Sequence, residues 1–174
     1  MTLKGAKVVV LAEDLYEDLE LWYPYYRLLE EGASVTLVGP KATSYASKYG
    51  YPAVAAVAAE EVDASEVHAV IVPGGYAPDK LRRYDAVLDL VRDVYAKGGV
   101  VAFICHAAWV PISAGIVRGK HATCVAAIKD DLVNAGAIYE DRAVVVDGRL
   151  VSSRTPADLP AYLPAIIAEI AKVI

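Results

Sequence analysis

Short β-branched runs that alternate with longer amphipathic stretches constrain the fold more than any other feature of this sequence. Apolar runs of strand length, each bounded by charged or turn residues, cover residues 8–11, 34–38, 67–72 and 100–104. Between the first two runs, residues 17–31 place apolar side chains at helical spacing. Because strands that alternate with helices form mostly parallel sheets covered on both faces, we predict an α/β fold.

The alternation of strands and helices continues along the chain and becomes less regular in the last third. Residues 78–96 and 107–114 are predicted to be helical, whereas residues 41–57 are expected to hold a short hairpin or an extended loop. An Asp-Gly turn within residues 143–151 predicts a hairpin. A Thr-Pro start predicts a C-terminal helix over residues 155–173.

Length and charge exclude several classes of protein. A chain of 174 residues without repeats or linkers fits one domain, residues 1–174. Its formal net charge of −5 argues against nucleic acid as a bulk partner, since neutralising phosphates needs a basic face. No apolar run reaches the ~18 residues of a membrane helix, so no membrane partner is expected. With two cysteines, no disulfide framework and no expected signal peptide, we predict a reducing, cytoplasmic location.

Cys105-His106 is the strongest candidate for chemistry. The pair directly follows the run 100–104 and directly precedes the predicted helix 107–114. A strand-to-helix turn of this kind presents a nucleophile at a helix N-terminus, where the dipole and free N–H groups lower a cysteine pKa. The same N–H groups can donate to an oxyanion. A buried structural cysteine is the alternative, because free cysteine is among the most buried residue types.

Other candidates are expected near the same edge of the sheet, since ligands of open α/β sheets bind beyond the carboxyl ends of the strands. Gly74 and Gly75 could bring backbone close to a substrate, or could simply form a turn. Glu17 belongs to an acidic helix start that the helix dipole explains without function, yet it could reach the mouth of the sheet. Cys124 is expected to pack in the core or to act as a nearby redox partner. Three histidines without ligand spacing predict neither a metal site nor a cofactor.

Several short strings occur together in the order typical of one family. They are residues 16–24 (YEDLELWYP), 73–78 (PGGYAP), 103–106 (FICH), 112–115 (ISAG), 128–131 (IKDD), 134–136 (NAG), 145–148 (VVDG) and 151–154 (VSSR). On these strings the chain, from about residue 6 to residue 170, resembles the PfpI intracellular protease family. That family is part of the ThiJ/PfpI superfamily, which is similar to class I glutamine amidotransferases.

The resemblance implies a flavodoxin-like three-layer sandwich with Cys105 as the nucleophile on a strained elbow. By the same resemblance, His106 is the catalytic histidine and Glu17 is the carboxylic acid that hydrogen-bonds the cysteine sulfur. Gly75 and His106 then supply oxyanion-hole N–H groups. Asp79 matches the acidic residue that, in peptidase members, orients the histidine of a neighbouring subunit.

The chain departs from the family pattern at three places around this pocket. Asp79 replaces the usual glutamate and is one methylene shorter. Trp109 stands where the family has a polar residue after Gly-Pro, and Val125 stands where an aromatic is common. We therefore expect Gly74 and Trp109 to line an altered pocket mouth, and the substrate does not carry over with the fold.

The function implied by the resemblance is a cysteine-dependent hydrolase or lyase acting on a small carbonyl or acyl compound. Members have glyoxalase, protein or nucleotide deglycase, or peptidase activity, and the sequence does not choose among them. A redox-sensing or chaperone-like stress protein with an oxidised Cys105 is the alternative. A binding domain that has lost its activity is the third possibility.

Aromatic residues crowd the first predicted helix. Trp22, Tyr23, Tyr25 and Tyr26 lie within five consecutive positions, which is more than one helical face can bury. We therefore expect a subunit interface on this helix. The resemblance likewise implies a homo-oligomer, either a dimer or a ring of dimers.

Overall fold

The computed structural model describes residues 2–174 as strands and helices in alternation. The strands are β1 (Lys7–Leu11), β2 (Ser34–Gly39), β3 (Ser44–Ala46), β4 (Pro52–Val54), β5 (Val57–Ala58), β6 (Ala69–Val72), β7 (Val100–Ile104), β8 (His121–Ala122), β9 (Ile138–Tyr139), β10 (Val144–Asp147) and β11 (Leu150–Ser153). The helices are α1 (Asp18–Glu30), α2 (Ala77–Leu81), α3 (Asp85–Ala96), α4 (Trp109–Ser113), α5 (Lys129–Asn134) and α6 (Leu159–Ile170). Several 3-10 turns connect them, including Cys105–Ala108.

Seven strands form the central sheet in the order β10-β11-β7-β6-β1-β2-β5. Every neighbouring pair is parallel except β10 and β11, which form the hairpin expected from the Asp-Gly turn. The mostly parallel sheet predicted from the sequence is therefore confirmed. Strands β3 and β4 form a separate antiparallel hairpin within residues 41–57.

Helices cover both faces of this sheet. The connection from β1 through α1 to β2 steps toward one edge, whereas the connection from β6 through α3 to β7 steps toward the other. Because such crossovers are right-handed, the opposite steps place α1 and α3 on opposite faces. Helix α6 packs against α1, and α4 packs against α3. The α/β sandwich inferred from the alternation is thus confirmed.

The central strands lie at the heart of one contiguous apolar core. All residues of β6 and β7 are buried, as are residues 8–11 of β1. This burial explains why these strands read as uninterrupted apolar runs rather than as alternating ones. None of the helices in residues 2–174 is both long and apolar enough to cross a membrane.

One predicted helix is divided in two. Residues 78–96 were expected to be mostly helical, but Tyr84 has an extended backbone and separates α2 from α3. Helix α2 packs on α4, and the Arg82 Nε that follows it donates to Ser113 Oγ at 2.9 Å. Tertiary contacts at the carboxyl edge of the sheet therefore turn the chain where local helical propensity would continue it.

Candidate active site

Cys105 lies on a strained turn at the carboxyl end of β7. Its φ is 62°, in the left-handed region that residues other than glycine rarely adopt. Five buried residues of β7 precede it and a 3-10 turn leading into α4 follows it, so both sides of the turn are fixed by packing. Strain held in place by its surroundings is common at functional sites.

The carboxyl group beside the sulfur belongs to Glu20, not to Glu17. Glu20 is completely buried beside Cys105, and its charge raises the pKa of the thiol. Its Oε2 also accepts the backbone N–H of Gly74 at 2.8 Å. Glu20 shares a buried helix stripe with Pro24 and Leu28, at four-residue spacing. This carboxylate within an apolar stripe is the sequence signal that could have distinguished it from Glu17.

Glu17 instead pairs with a lysine at the mouth of the site. Its Oε2 lies 2.5 Å from Lys48 Nζ, on the loop between β3 and β4. The Lys48 backbone N–H donates to the Tyr16 carbonyl at 3.0 Å, which ties this loop to the start of α1. The expectation that Glu17 contacts the sulfur is therefore wrong, because α1 begins at Asp18 and turns Glu20 inward.

Burial opposes negative charge on both members of the Cys105–Glu20 pair. It raises the pKa of Glu20 to about 7, and Oε1 is buried without a hydrogen-bond partner among the described residues. Burial and the neighbouring Glu20 charge raise the pKa of Cys105 to about 12. Burial and the Glu20 charge thus outweigh the lowering of the Cys105 pKa that the helix N-terminus predicts. The site holds one negative charge far more readily than two.

Two backbone N–H groups lower the Cys105 pKa and so oppose the effect of burial. Those of Gly75 and His106 hydrogen-bond the sulfur and lower the Cys105 pKa against the larger effect of burial. Gly74 has a different position, since its N–H holds Glu20. A side chain at Gly74 would lie within 2.8 Å of Cys105 Cβ, so only glycine leaves room for the pair.

A strap formed by residues 15–17 fixes the Gly75 backbone. The Tyr76 N–H donates to the Leu15 carbonyl at 2.9 Å, and the Glu17 N–H donates to the Gly74 carbonyl at 3.2 Å. Leu15 has a φ of 68°, a second left-handed residue beside the site. The strap therefore sets where the Gly75 amide points.

His106 contacts the sulfur through its ring. Its Nδ1 lies 3.3 Å from Cys105 Sγ. Burial and then the charge of Lys48 lower the His106 pKa, which favours a neutral imidazole. The ring centroid is 5.3 Å from that of Trp109 and 6.4 Å from that of Tyr76. Trp109 and Gly74 were expected to line the pocket mouth, but neither is among the residues that line the cleft above the sulfur; Trp109 contacts His106 instead.

A cleft of about 380 Å³ opens above the sulfur. It is lined by Glu17, Glu20, Lys48, Tyr49, Gly75, Tyr76, Cys105, His106 and Pro156. Of the candidates chosen from the sequence, the cleft thus brings together the nucleophile, the histidine, Gly75 and Glu17. Lys48 and Tyr49 were missed, because they come from the β3–β4 loop, which carries no recognisable motif.

The remaining candidates lie elsewhere. Asp79 is on α2, where its carboxylate pairs with Arg83, and its action on a neighbouring subunit's histidine stays a prediction. Cys124 is completely buried and free, and burial raises its pKa to about 12. Within residues 2–174, no three histidine, cysteine or acidic side chains are grouped as a metal ion requires.

Comparison with known proteins identifies the family. The description of the DJ-1/PfpI family matches residues 6–169. The chain belongs to the DJ-1/PfpI family. The family resemblance read from the sequence strings is therefore confirmed.

Several relatives of this DJ-1/PfpI chain carry enzyme names. The deglycase PfpI of Pyrococcus furiosus is 40% identical over 157 residues, covering 90% of this chain and 95% of that protein. Protein/nucleic acid deglycase 2 of Escherichia coli is 38% identical over 159 residues, covering 90% and 92%. A two-domain Anabaena variabilis structure with DJ-1/ThiJ/PfpI-like and ferritin-like domains has a TM-score of 0.93 and 40% identity, over 95% of this chain and 48% of that one. These relatives support an enzyme of DJ-1/PfpI type with a flavodoxin-like fold.

Proposed function

We propose that this protein is a cysteine-dependent enzyme that converts small 2-oxoaldehydes, free or attached to an amine, with Cys105 as its nucleophile. The observation that carries the proposal is the buried contact between Cys105 and Glu20 beneath the Gly75 and His106 amides. A thiol, an acid–base group near neutrality and two donors for a developing oxyanion are what carbonyl addition requires.

The first step of the proposed reaction is addition of the sulfur to the aldehyde carbon. A carbon–sulfur bond forms, and the carbonyl oxygen takes up negative charge beside the Gly75 and His106 N–H groups. Where the aldehyde carbon already carries a hydroxyl group and an amine, the sulfur displaces the amine: the carbon–sulfur bond forms, the carbon–nitrogen bond breaks, and the amine leaves with the Cys105 proton relayed by His106. For the free aldehyde, the Cys105 proton passes to Glu20 and then to the oxyanion, which becomes a hydroxyl group and leaves Glu20 as a carboxylate.

The second step moves a proton along the substrate. The Glu20 carboxylate takes the proton from the former aldehyde carbon, and the neighbouring carbon receives one, which gives a thioester of the 2-hydroxy acid. Water then breaks the carbon–sulfur bond and returns the thiol. Overall one water is added, and no external oxidant or reductant is consumed.

The size of the cleft and the names of the relatives favour a small substrate over a protein chain. A volume of about 380 Å³ suits a three-carbon carbonyl compound and the end of an amine side chain. Peptidase action is expected to require Asp79 from a neighbouring subunit, and Asp79 already pairs with Arg83 in its own chain. Several relatives are named as deglycases.

The experiment that tests this proposal measures turnover of methylglyoxal and release of N-acetyllysine from its methylglyoxal adduct. Cys105→Ser is expected to abolish both activities. Glu20→Gln should lower kcat at least ~100-fold, within the usual range for a general acid–base, and Glu17→Gln should cost much less. Wild-type turnover by Glu20→Gln would overturn the assignment.

Two further measurements separate the alternatives. Hydrolysis of peptides that Asp79→Asn abolishes would indicate the peptidase reaction instead. A gain of two oxygens on Cys105 under mild peroxide, in a protein without methylglyoxal turnover, would indicate the redox-sensing alternative.

A further inference from the structure

Trp109 holds the His106 ring without lining the cleft. The two ring centroids are 5.3 Å apart and their planes are inclined by 58°. Since Trp109 is absent from the cleft-lining side chains, its contact with the site runs through His106. A bulky indole at this distance restricts the rotation of the imidazole.

The indole is itself fixed from two directions. Its Nε1–H donates to Asp131 Oδ2 at 2.7 Å, and Asp131 lies on α5. The Arg82 guanidinium lies 5.7 Å from the ring centroid, within cation–π range. Arg82 is held in turn by its Nε–H, which donates to Ser113 Oγ at 2.9 Å. Asp131 on α5 and Arg82 at the end of α2 thus both contact the indole.

His106 has no carboxylate partner in the described chain. Its ring makes one hydrogen bond among residues 2–174, between Nδ1 and Cys105 Sγ at 3.3 Å. An imidazole usually depends on a second hydrogen bond to fix its orientation. Here the contact that can restrain the ring is the neighbouring indole, 5.3 Å away between centroids.

We propose that Trp109, locked by Asp131 and Arg82, is the positioning residue that holds the His106 ring at Cys105. This inference rests on the proposed function, in which His106 relays a proton to the leaving amine. It assigns the orienting role to packing within one chain, so that Asp79 of another subunit is not needed for it.

The test compares variants that do and do not preserve the indole hydrogen bond. Asp131→Ala and Trp109→Phe should each lower kcat for the methylglyoxal–N-acetyllysine adduct about tenfold, because small misplacements of a reacting group are costly, with KM changed less than twofold. Asp131→Asn keeps an oxygen acceptor and should restore most of the activity. Asp130→Ala, at the exposed neighbouring position, is the matched control and should resemble the wild type.

The double variant gives a second measurement. If Asp131 acts through Trp109, then Trp109→Phe combined with Asp131→Ala should be no slower than either single variant. If the kcat losses of the two single variants multiply in the double variant, Asp131 does not act through Trp109 and the inference is overturned. A fall in melting temperature with unchanged kcat would also overturn it, since it would show a purely structural contact.

A spectroscopic comparison keeps the inference separate from the proposed function. The chain has three histidines, so ring signals of ¹⁵N-labelled histidine can be assigned by substitution. Asp131→Ala should shift or broaden the His106 signals, whereas Asp131→Asn and Asp130→Ala should not. Unchanged His106 signals in Asp131→Ala would overturn the inference. Absence of turnover in the wild type would overturn only the proposed function.

Discussion

Cys105 and Glu20 share a site that resists a second negative charge. Oε2 of Glu20 accepts the Gly74 N–H, and the Glu20 charge raises the pKa of the neighbouring thiol. A proton on Glu20 removes the repulsion that opposes the thiolate, so the charge of each group depends on that of the other. Acid–base chemistry near neutral pH follows from this environment rather than from either residue alone.

Stability should depend on pH through Glu20. Its pKa is raised from an ordinary 4.5 to about 7 in the folded protein, so the folded state binds this proton more tightly than the unfolded chain. The resulting stabilisation is complete below pH 4.5 and is lost as pH rises through about 7, by about 3 kcal/mol.

Glu20→Gln provides the measurement, because glutamine mimics the protonated acid and keeps an acceptor for Gly74. Urea unfolding at pH 5, 6, 7 and 8 should show the wild type losing stability relative to the variant as pH rises. The difference between the two proteins cancels the other titrating groups, including His106. A constant difference across this range would contradict the raised pKa.

Reactivity should distinguish the two cysteines even though burial raises the pKa of both thiols. Cys105 is partly exposed to the cleft and faces the Gly75 and His106 amides, whereas Cys124 is completely buried. Iodoacetamide at pH 6 should therefore modify Cys105 alone, as followed by intact mass. Cys124→Ser should react like the wild type and Cys105→Ser should not react. Equal rates for the two thiols would count against the nucleophile assignment.

At the scale of elements, the strap before α1 and the turn after β6 form one unit. The strap carbonyls and N–H groups bond residues 74–76 directly, and a β-bridge joins Tyr16 to Gly75. The Gly75 backbone has a φ of +76°, and an added Cβ would lie 2.7 Å from the Glu17 nitrogen. The amide that faces the sulfur is thus held by close backbone packing.

Gly75→Ala should consequently be far more damaging than an equivalent substitution elsewhere. Gly115 has the same φ of +76° but open space around its missing side chain, which makes Gly115→Ala a matched control. Gly115→Ala should cost about 1 kcal/mol of unfolding free energy, from backbone strain alone. Gly75→Ala should cost several times as much unfolding free energy and should remove activity, because the backbone of residues 15–17 would have to move. Similar losses of stability and activity in the two variants would show that the strap does not confine Gly75.

At the scale of the whole molecule, an aromatic surface runs along α1 beside the cleft. Trp22 stacks on Tyr26 and packs edge-on against Tyr25 and Tyr51, while its Nε1–H donates to Tyr16 Oη at 3.1 Å. These contacts organise the aromatic residues without burying them all. Exposed apolar side chains on this surface are Leu19, Tyr23, Tyr26 and Tyr51.

We expect this surface to form an interface with a second copy of the chain, in which its apolar side chains become buried. An exposed apolar patch of this kind is typical of an interface, and self-association through one patch gives a two-fold dimer. Light scattering at micromolar concentration should report at least twice 18.5 kDa. Leu19→Glu should shift the protein toward the monomer, whereas Tyr84→Glu, an exposed tyrosine between α2 and α3, should not. A wild-type monomer would contradict the expectation.

The sequence by itself determined the architecture and the position of the nucleophile candidate. Apolar runs bounded by turn residues specify strands through local periodicity, and their alternation with helices leaves few topologies open. The carboxyl end of β7 then fixes where Cys105-His106 must lie. These features depend on short stretches of chain and on rules of connection, both of which can be read in one dimension.

Only the tertiary structure decided which carboxyl group meets the sulfur and what charge the pair can hold. Glu17 and Glu20 are three residues apart, and the rotation of α1 on the sheet turns one toward Cys105 and leaves the other with Lys48. The Cys105 pKa was expected to fall from the helix N-terminus alone. It rises instead, because burial and the neighbouring carboxyl outweigh two N–H groups, and that balance depends on distances between residues far apart in the chain.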